Sequence, residues 1–134
     1  KPNNHELGEI FGVELRDREE AIPYAQRLRE LGAVNVLVSM AGQGAVLAAG
    51  DGEVYAAAAP RGKLVNGVGA GDSMVAGFLA GWMERHEYGH AFRMGIAAGS
   101  ASAFSELLAT GEEVMDLYRQ MAGSRMEGFG DRRT

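Results

Sequence analysis

Apolar residues in the first part of the chain recur at helical spacing. Residues 4–13 place their apolar side chains on one face, which predicts a first helix. Residues 17–31 predict a second helix, with Asp17 as its N-cap. Pro23 lies inside that pattern, so we expect it either to kink this helix or to move its start to about Ile22.

Three short apolar runs follow, and each has the length and composition of a buried strand. These runs are residues 35–39, 45–49 and 54–58. Gly50-Asp51-Gly52 separates the second run from the third, and a short segment of this kind is typical of a β-hairpin turn.

Helical spacing returns in the second half of the chain, after a loop from Pro60 to Gly71. The predicted helices there are residues 72–85, about 90–106 and 112–121. The polar residues 123–134 are expected to form a flexible tail. The order α-α-β-β-β-α-α-α predicts an α/β architecture.

Composition narrows the classes of function. The chain has 134 residues, a net charge of −5 and no cysteine, which excludes disulfides, thiolate catalysis and cysteine-based zinc sites. An acidic chain without a basic stripe argues against a nucleic-acid partner. No apolar run reaches the roughly 18 residues that a membrane span needs, and without a signal segment we expect a cytoplasmic protein. The start at Lys1 fits a processed start and a missing upstream half equally well.

The strongest candidate catalytic motif lies in residues 66–77. Three glycines in five residues precede Asp72 there, at the start of a predicted helix. The exposed N–H groups of a helix N-terminus favour phosphate. A carboxylate beside bound phosphate is suited to act as a base, so the segment points to phosphoryl transfer to a hydroxyl. The alternative is a tight turn in which Asp72 only caps the helix.

Two other motifs suggest different chemistry. Ser73 follows Gly-Asp as in serine esterases of the Gly-Asp-Ser-Leu type, but no downstream Asp-x-x-His accompanies it. Residues 86–90 match the zinc-protease pattern HExxH, with Glu87 as the potential base and Glu106 as the one tempting third ligand. A glycine inside the motif and its place between two helices favour a polar loop instead.

Two earlier segments offer weaker signals. Small residues in 39–45 follow a predicted strand and would let a nucleotide approach its end, although an ordinary turn explains them as well. Asn3 and Glu6 stand three apart at the start of the first helix. This pair would either hold magnesium waters and orient phosphate, or simply cap the helix.

Taken in this order, the segments resemble the ribokinase-like PfkB carbohydrate kinase family over nearly all of residues 1–122. Residues 1–6 resemble the family's Asn-x-x-Glu motif for magnesium and phosphate, and residues 39–45 its nucleotide-binding turn. Residues 68–79 resemble its highly specific carboxyl-terminal signature. The details are most similar to the branch of 1-phosphofructokinases and tagatose-6-phosphate kinases.

The resemblance implies a ribokinase-like three-layer α/β/α fold, of which this chain is the carboxyl-terminal portion without the small β-sheet lid. Residues 1–122 are then the nucleotide-binding part of a PfkB kinase domain, followed by the tail at 123–134. Family members are about twice this length. An upstream half would supply most sugar-binding residues and the lid, through which a homodimer is expected to form.

The resemblance also implies an activity. It is ATP-dependent phosphorylation of a hydroxyl on a sugar phosphate, with magnesium, and the expected reaction is fructose 1-phosphate to fructose 1,6-bisphosphate. The alternatives are tagatose 6-phosphate or another sugar as substrate, and a non-catalytic module that binds ATP or a sugar phosphate.

Roles are carried over residue by residue. Asp72 is the expected base, and the backbone N–H groups of residues 69–72 are the expected anion hole, so the predicted catalytic residues are Gly69, Ala70, Gly71 and Asp72. The nucleotide site is expected to comprise Ser39, Gly42, Gln43 and Gly44, together with Gly71 and Asp72. Asn3 and Glu6 are expected to act on Mg²⁺ through water.

Overall fold

The computed structural model describes residues 1–65, 67, 69–105, 109–122 and 127–129, which fall into two units. The first unit holds two helices and a sheet: α1 (Asn4–Phe11), α2 (Arg18–Glu30), β1 (Val36–Ser39), β2 (Ala45–Ala48), β3 (Val54–Ala57) and β4 (Glu127–Phe129). The second unit begins at Ala59 and holds three helices: α3 (Ala70–Arg85), α4 (Tyr88–Ala103) and α5 (Gly111–Ala122). The predicted order of helices and strands from α1 to α5 is confirmed.

The second helix begins earlier than one prediction allowed. α2 starts at Arg18, where the Asp17 side chain accepts the N–H of Glu20 at 2.8 Å. The helix runs through Pro23, so a start near Ile22 is wrong. The cap stabilises the first turn, whereas the proline removes only one N–H donor from the helix.

Two features at the end of the chain differ from the sequence expectation. α4 ends at Ala103, and Glu106, where the sequence placed its end, lies outside the described residues. Of the predicted flexible tail at 123–134, only 127–129 are described, and they form β4 against β3. The sequence did not predict this strand.

The sheet has the order β1-β2-β3-β4, and each neighbouring pair of strands is antiparallel. The predicted hairpin joins β2 to β3. Its turn is held by the N–H of Glu53, which donates to the Asp51 carboxylate at 2.9 Å, and Gly52 takes a φ of +91°. This backbone conformation suits glycine, which explains the turn signal in the sequence.

The core of the first unit lies between the sheet and its two helices. Alternate strand residues share one face with buried side chains of α1 and α2: Leu7, Ala21, Ala25, Val36, Val38, Val46, Ala48, Val54 and Ala56. Leu37 and Leu47, on the opposite face of the sheet, are buried as well. Both faces of the sheet therefore carry buried apolar side chains.

In the second unit, glycines allow α3 and α4 to approach closely. A Cβ added at Gly77 would lie 2.7 Å from both the Ala98 Cβ and the Met94 carbonyl oxygen. On α4, a Cβ at Gly95 would lie 2.9 Å from the Met74 carbonyl oxygen. Backbones this close leave no room for side chains, so these glycines set the spacing of the two helices.

The third helix of this unit is fixed to α4 by polar contacts. The Arg93 guanidinium donates to the Tyr118 carbonyl oxygen at 2.7 Å and lies 3.8 Å from the centre of the Tyr118 ring. The buried His90 places its Nδ1 2.6 Å from the Tyr118 hydroxyl.

No helix in the described part of the chain combines the length and apolar character needed to cross a membrane.

Substitution of Gly77 by valine should lower the free energy of unfolding by about 1–3 kcal/mol, because the new side chain overpacks the α3–α4 contact. Urea unfolding of this chain measures the loss. The matched control is Gly111→Val, at a glycine whose added Cβ meets nothing within 4 Å. The control should stay within about 0.5 kcal/mol of the unsubstituted chain. Equal losses in both variants would contradict close helix packing at Gly77.

Candidate functional site

The first group of candidate residues forms where the start of α1 meets the end of β1. The N–H of Ser39 donates to the Pro2 carbonyl oxygen at 3.2 Å, and Asn3 forms a parallel bridge with Ser39. The predicted magnesium motif therefore lies beside the predicted nucleotide turn. The residue pattern alone did not give this juxtaposition.

Asn3 and Glu6 form a capping box at the start of α1. The Asn3 side chain accepts the N–H of Glu6 at 2.8 Å, and the Glu6 carboxylate accepts the N–H of Asn3 at 2.9 Å. Thr110 and Glu113 make the same reciprocal bonds at the start of α5. There the hydrogen bond from the Thr110 backbone, followed by one from the Ser105 hydroxyl, lowers the pKa of Glu113. A capping box is therefore a structural device in its own right, and what distinguishes the α1 box is its place beside Ser39.

The donor groups at this box fit magnesium held through water. Glu6 is exposed to solvent, and an amide and a carboxylate supply the oxygen atoms that Mg²⁺ prefers. Within the described ranges, no three His, Cys, Asp or Glu side chains cluster closely enough to hold a metal ion on their own. Magnesium commonly keeps several waters and binds one or two carboxylates together with substrate phosphates, so this arrangement suits it better than a closed protein cage would.

The turn between β1 and β2 has a backbone conformation that few residue types can adopt. It contains a single 3₁₀ turn, Ala41–Gln43, in which Ala41 has a φ of +51°. Gly44 has a φ of +93°, and a Cβ there would overlap the Ala57 carbonyl oxygen. The position therefore requires glycine. Gly42, by contrast, is exposed and has open space around it.

Gln43 is tied to the segment that starts α2. Its side-chain amide donates to the Arg16 carbonyl oxygen at 2.8 Å, and its own carbonyl oxygen accepts a hydrogen bond from Arg18 at 2.5 Å. The predicted nucleotide-binding residue thus uses its side chain within the protein. The sequence analysis did not single out Arg18, since no local pattern links it to a turn 25 positions away.

The second group of candidate residues lies at the start of α3. Gly69 is the N-cap with a φ of +82°, and as a glycine it supplies no side-chain cap. The N–H of Ser73 donates to the Gly69 carbonyl oxygen at 2.9 Å, and that of Ala70 makes a long bond of 3.3 Å to the Gly67 carbonyl oxygen. The exposed Asp72 lies in the first turn, at the positive end of the helix dipole.

Contacts with α4 fix the start of α3 and the loop before it. A Cβ at Gly99 would lie 3.1 Å from the Ala70 carbonyl oxygen, so α4 approaches the first turn of α3 closely. In the loop, the N–H of Val65 donates to the Ala103 carbonyl oxygen at 2.9 Å. Residues 66 and 68 of the glycine-rich segment lie outside the described residues.

The HExxH segment forms the junction between two helices. His86 is the C-cap of α3 with a φ of +54°, and Glu87 is the N-cap of α4. His90 lies within α4 and contacts Tyr118. Since the two histidines do not share one helix, the structure supports the polar loop and not the zinc interpretation. Glu106, the suggested third ligand, lies outside the described residues.

The structure places the predicted site residues in two groups, one in each unit. The first unit holds the predicted metal and nucleotide residues: Asn3, Glu6, Ser39, Gly42, Gln43 and Gly44. The second unit holds the predicted anion hole and base: Gly69, Ala70, Gly71 and Asp72. Each group is brought together by backbone hydrogen bonds and close packing within its own unit.

Comparison with known proteins gives a consistent result. Residues 1–114 match the pfkB family of carbohydrate kinases. The chain is 53% identical over 126 residues to a 1-phosphofructokinase from Bacillus subtilis, covering 94% of this chain and 41% of that protein. The chain thus spans about two-fifths of the length of this relative.

Solved structures agree with this match. A Staphylococcus aureus protein provisionally described as a phosphofructokinase superposes with a TM-score of 0.87 at 33% identity, covering 98% of this chain and 42% of that one. An Arabidopsis thaliana ribokinase complexed with ribose and ATP superposes with a TM-score of 0.76 at 23% identity, covering 88% of this chain and 39% of that one. The latter likeness concerns the fold alone, and together they confirm the predicted ribokinase-like α/β fold as a partial one.

Substitution of Gly44 by alanine should lower the free energy of unfolding by about 3 kcal/mol, because alanine is strained at this backbone conformation and its Cβ meets the β3 backbone. Gly42→Ala, two residues away in the same turn, should change it by less than about 0.5 kcal/mol. Chemical denaturation of both variants measures the difference. A Gly44→Ala protein as stable as Gly42→Ala would show that the turn differs from the one described.

Proposed function

The chain belongs to the pfkB family of carbohydrate kinases, and from this premise we propose that it is the nucleotide-binding, carboxyl-terminal part of an ATP-dependent sugar-phosphate kinase. The observation that carries the proposal is the start of α3. This helix N-terminus has glycine as its N-cap and presents Asp72 in its first turn.

This arrangement suits phosphoryl transfer for electrostatic reasons. The partial positive charge and the N–H groups of a helix N-terminus stabilise negative charge on a phosphoryl group. Gly69 adopts a left-handed backbone conformation, and because glycine has no side chain, a phosphate can approach the helix N-terminus there. We assign the anion hole to the backbone of Gly69, Ala70, Gly71 and Asp72. The bond of Ala70 to Gly67, at 3.3 Å, is long enough to yield to a phosphate oxygen.

The proposed reaction uses one carboxylate. A hydroxyl oxygen of the sugar phosphate attacks the γ-phosphorus of ATP, and the bond from that phosphorus to the oxygen bridging the β-phosphate breaks. The hydroxyl proton passes to Asp72, and ADP leaves with the electron pair of the broken bond. Because the transition state is largely dissociative, positioning and charge stabilisation contribute most of the catalysis.

We assign the binding of the nucleotide and of its Mg²⁺ to the first unit. The Ser39 end of β1 and the turn with Gly42, Gln43 and Gly44 would form the nucleotide site, where small residues let a ligand approach the backbone. Asn3 and Glu6 would hold Mg²⁺ through water. Bound magnesium would neutralise phosphate charge during transfer.

The proposed acceptor is fructose 1-phosphate, giving fructose 1,6-bisphosphate. The support is the 53% identity to a 1-phosphofructokinase, which extends over 94% of this chain. Tagatose 6-phosphate is the nearest alternative acceptor. The proposal includes a cytoplasmic enzyme that dimerises through a lid encoded outside this chain.

The second candidate function is that of a binding module. The chain spans 41% of the Bacillus subtilis relative and includes the candidate nucleotide residues. A module that binds ATP or a sugar phosphate without transferring phosphate would use the same residues. A kinase assay of this chain alone and of the full-length protein that contains it separates the two functions.

Replacement of Asp72 by asparagine in the full-length protein should lower kcat by about 10²–10⁴-fold, because the amide cannot accept the hydroxyl proton. Calorimetric affinity for Mg·ATP should stay nearly unchanged, since asparagine preserves the shape of the side chain. A coupled assay of ADP release, with fructose 1-phosphate, fructose 6-phosphate and tagatose 6-phosphate as acceptors, measures turnover and ranks the substrates.

The matched control is Asp116→Asn. The native Asp116 is an exposed carboxylate on α5 that pairs with Arg119. It loses the same charge and should keep full turnover. Full turnover in Asp72→Asn would exclude Asp72 as the base. An equal loss in both variants would point to a general effect of charge instead.

A further inference from the structure

We propose that Arg18 is a positioning residue that holds the nucleotide turn in its binding conformation through Gln43. This inference rests on the proposed nucleotide site at 39–44. Arg18 bonds the Gln43 backbone carbonyl oxygen and is not among the proposed site residues, so its effect would pass through the turn backbone. We call the two hydrogen bonds between Gln43 and the α2 entry segment, formed by Arg16 and Arg18, the Gln43 brace.

The Gln43 brace connects the turn to a rigid element in two directions. Arg18 donates to the Gln43 carbonyl oxygen, and the Gln43 side chain donates back to the Arg16 carbonyl oxygen. Both partners belong to the segment that the Asp17 cap fixes at the start of α2. These hydrogen bonds therefore fix the turn to the capped start of α2.

The turn needs such support because its backbone conformation is unfavourable and two of its three backbone hydrogen bonds are long. Ala41 has a φ of +51°, a conformation that residues other than glycine rarely adopt. Within the turn, the N–H of Met40 donates to the Gly44 carbonyl oxygen at 2.9 Å. The bonds from Gln43 to Met40, at 3.1 Å, and from Gly44 to Ala41, at 3.2 Å, are at the long end for such bonds. Strained backbone of this kind persists where surrounding contacts impose it.

The position of Arg18 also breaks a local rule. It is the first residue of α2, and a cation at the positive end of the helix dipole is unfavourable. Its Nε atom is buried and has no hydrogen-bond partner among the described residues, so burying this side chain carries a further cost. The charged hydrogen bond to Gln43 is the compensating contact that the structure shows.

The test measures turn mobility and nucleotide affinity separately on this chain. Hydrogen–deuterium exchange of the amides of Met40, Gln43 and Gly44 reports the turn without any ligand. Calorimetry with Mg·ATP reports affinity. The variants are Arg18→Ala, Arg18→Lys, Gln43→Ala and, as matched control, Arg16→Ala.

The control removes a guanidinium two residues away, where the side chain is 75% exposed and pairs with Glu14. It retains the Arg16 carbonyl oxygen that accepts from Gln43. Arg16→Ala should therefore leave both readouts unchanged. Circular dichroism verifies that every variant is folded.

Arg18→Ala should speed exchange at the three amides and weaken Mg·ATP binding, each by about tenfold, as expected for loss of one charged hydrogen bond. Gln43→Ala should do the same. Arg18→Lys should recover most of the affinity, because lysine donates one bond to the same carbonyl oxygen.

The outcomes separate this inference from the proposed function. Unchanged exchange in Arg18→Ala overturns the inference whatever the nucleotide result. Faster exchange with unchanged affinity overturns the link from the Gln43 brace to nucleotide binding. If the unsubstituted chain binds no Mg·ATP, the proposed nucleotide site fails, and the exchange data still decide whether Arg18 holds the turn.

Discussion

The backbone pairing of the first three residues with the end of β1 is the constraint on which the first unit depends. The Ser39 N–H to Pro2 bond lays this segment parallel to the strand, and α1 begins directly after it. The start of a helix and the end of a strand thus meet at one edge of the sheet. Two motifs that stand far apart in the sequence become neighbours because of one alignment.

The second unit reaches a comparable result by close packing. Glycines on α3 and α4 bring the helix backbones together, and Gly99 places α4 against the first turn of α3. The loop before α3 is tied to the end of α4 through Val65. In each unit, backbone hydrogen bonds and close packing set the positions of the candidate residues.

Local sequence pattern was sufficient for most of the fold. Apolar periodicity and glycine stops identified five helices and three strands, because these signals arise from burial of neighbouring residues. The pattern placed one possible start of α2 too late, since the Asp17 cap outweighs a single missing donor at Pro23. It did not predict β4, a strand of three residues whose pairing with β3 is a long-range event.

The candidate site was predictable in part, for a related reason. Asp72 and the glycines before it were recognised because they form one contiguous motif in the sequence. The bridge between Asn3 and Ser39 and the contact of Arg18 with Gln43 each join positions more than 20 residues apart. The bridge uses backbone atoms, which nearly every residue supplies, and the Arg18 guanidinium bonds a backbone carbonyl oxygen. Local composition and spacing therefore predict neither contact.

The most direct test of the account is a nuclear magnetic resonance titration of this chain with Mg·ATP. The account predicts saturable shifts of the backbone amide signals of Ser39, Gly42, Gly44 and the first turn of α3, including Asp72. Signals from the distant hairpin turn at Asp51 should remain in place. An absence of shifts, or shifts confined to residues outside these two groups, would contradict the claim that the chain is a nucleotide-binding part of a sugar kinase.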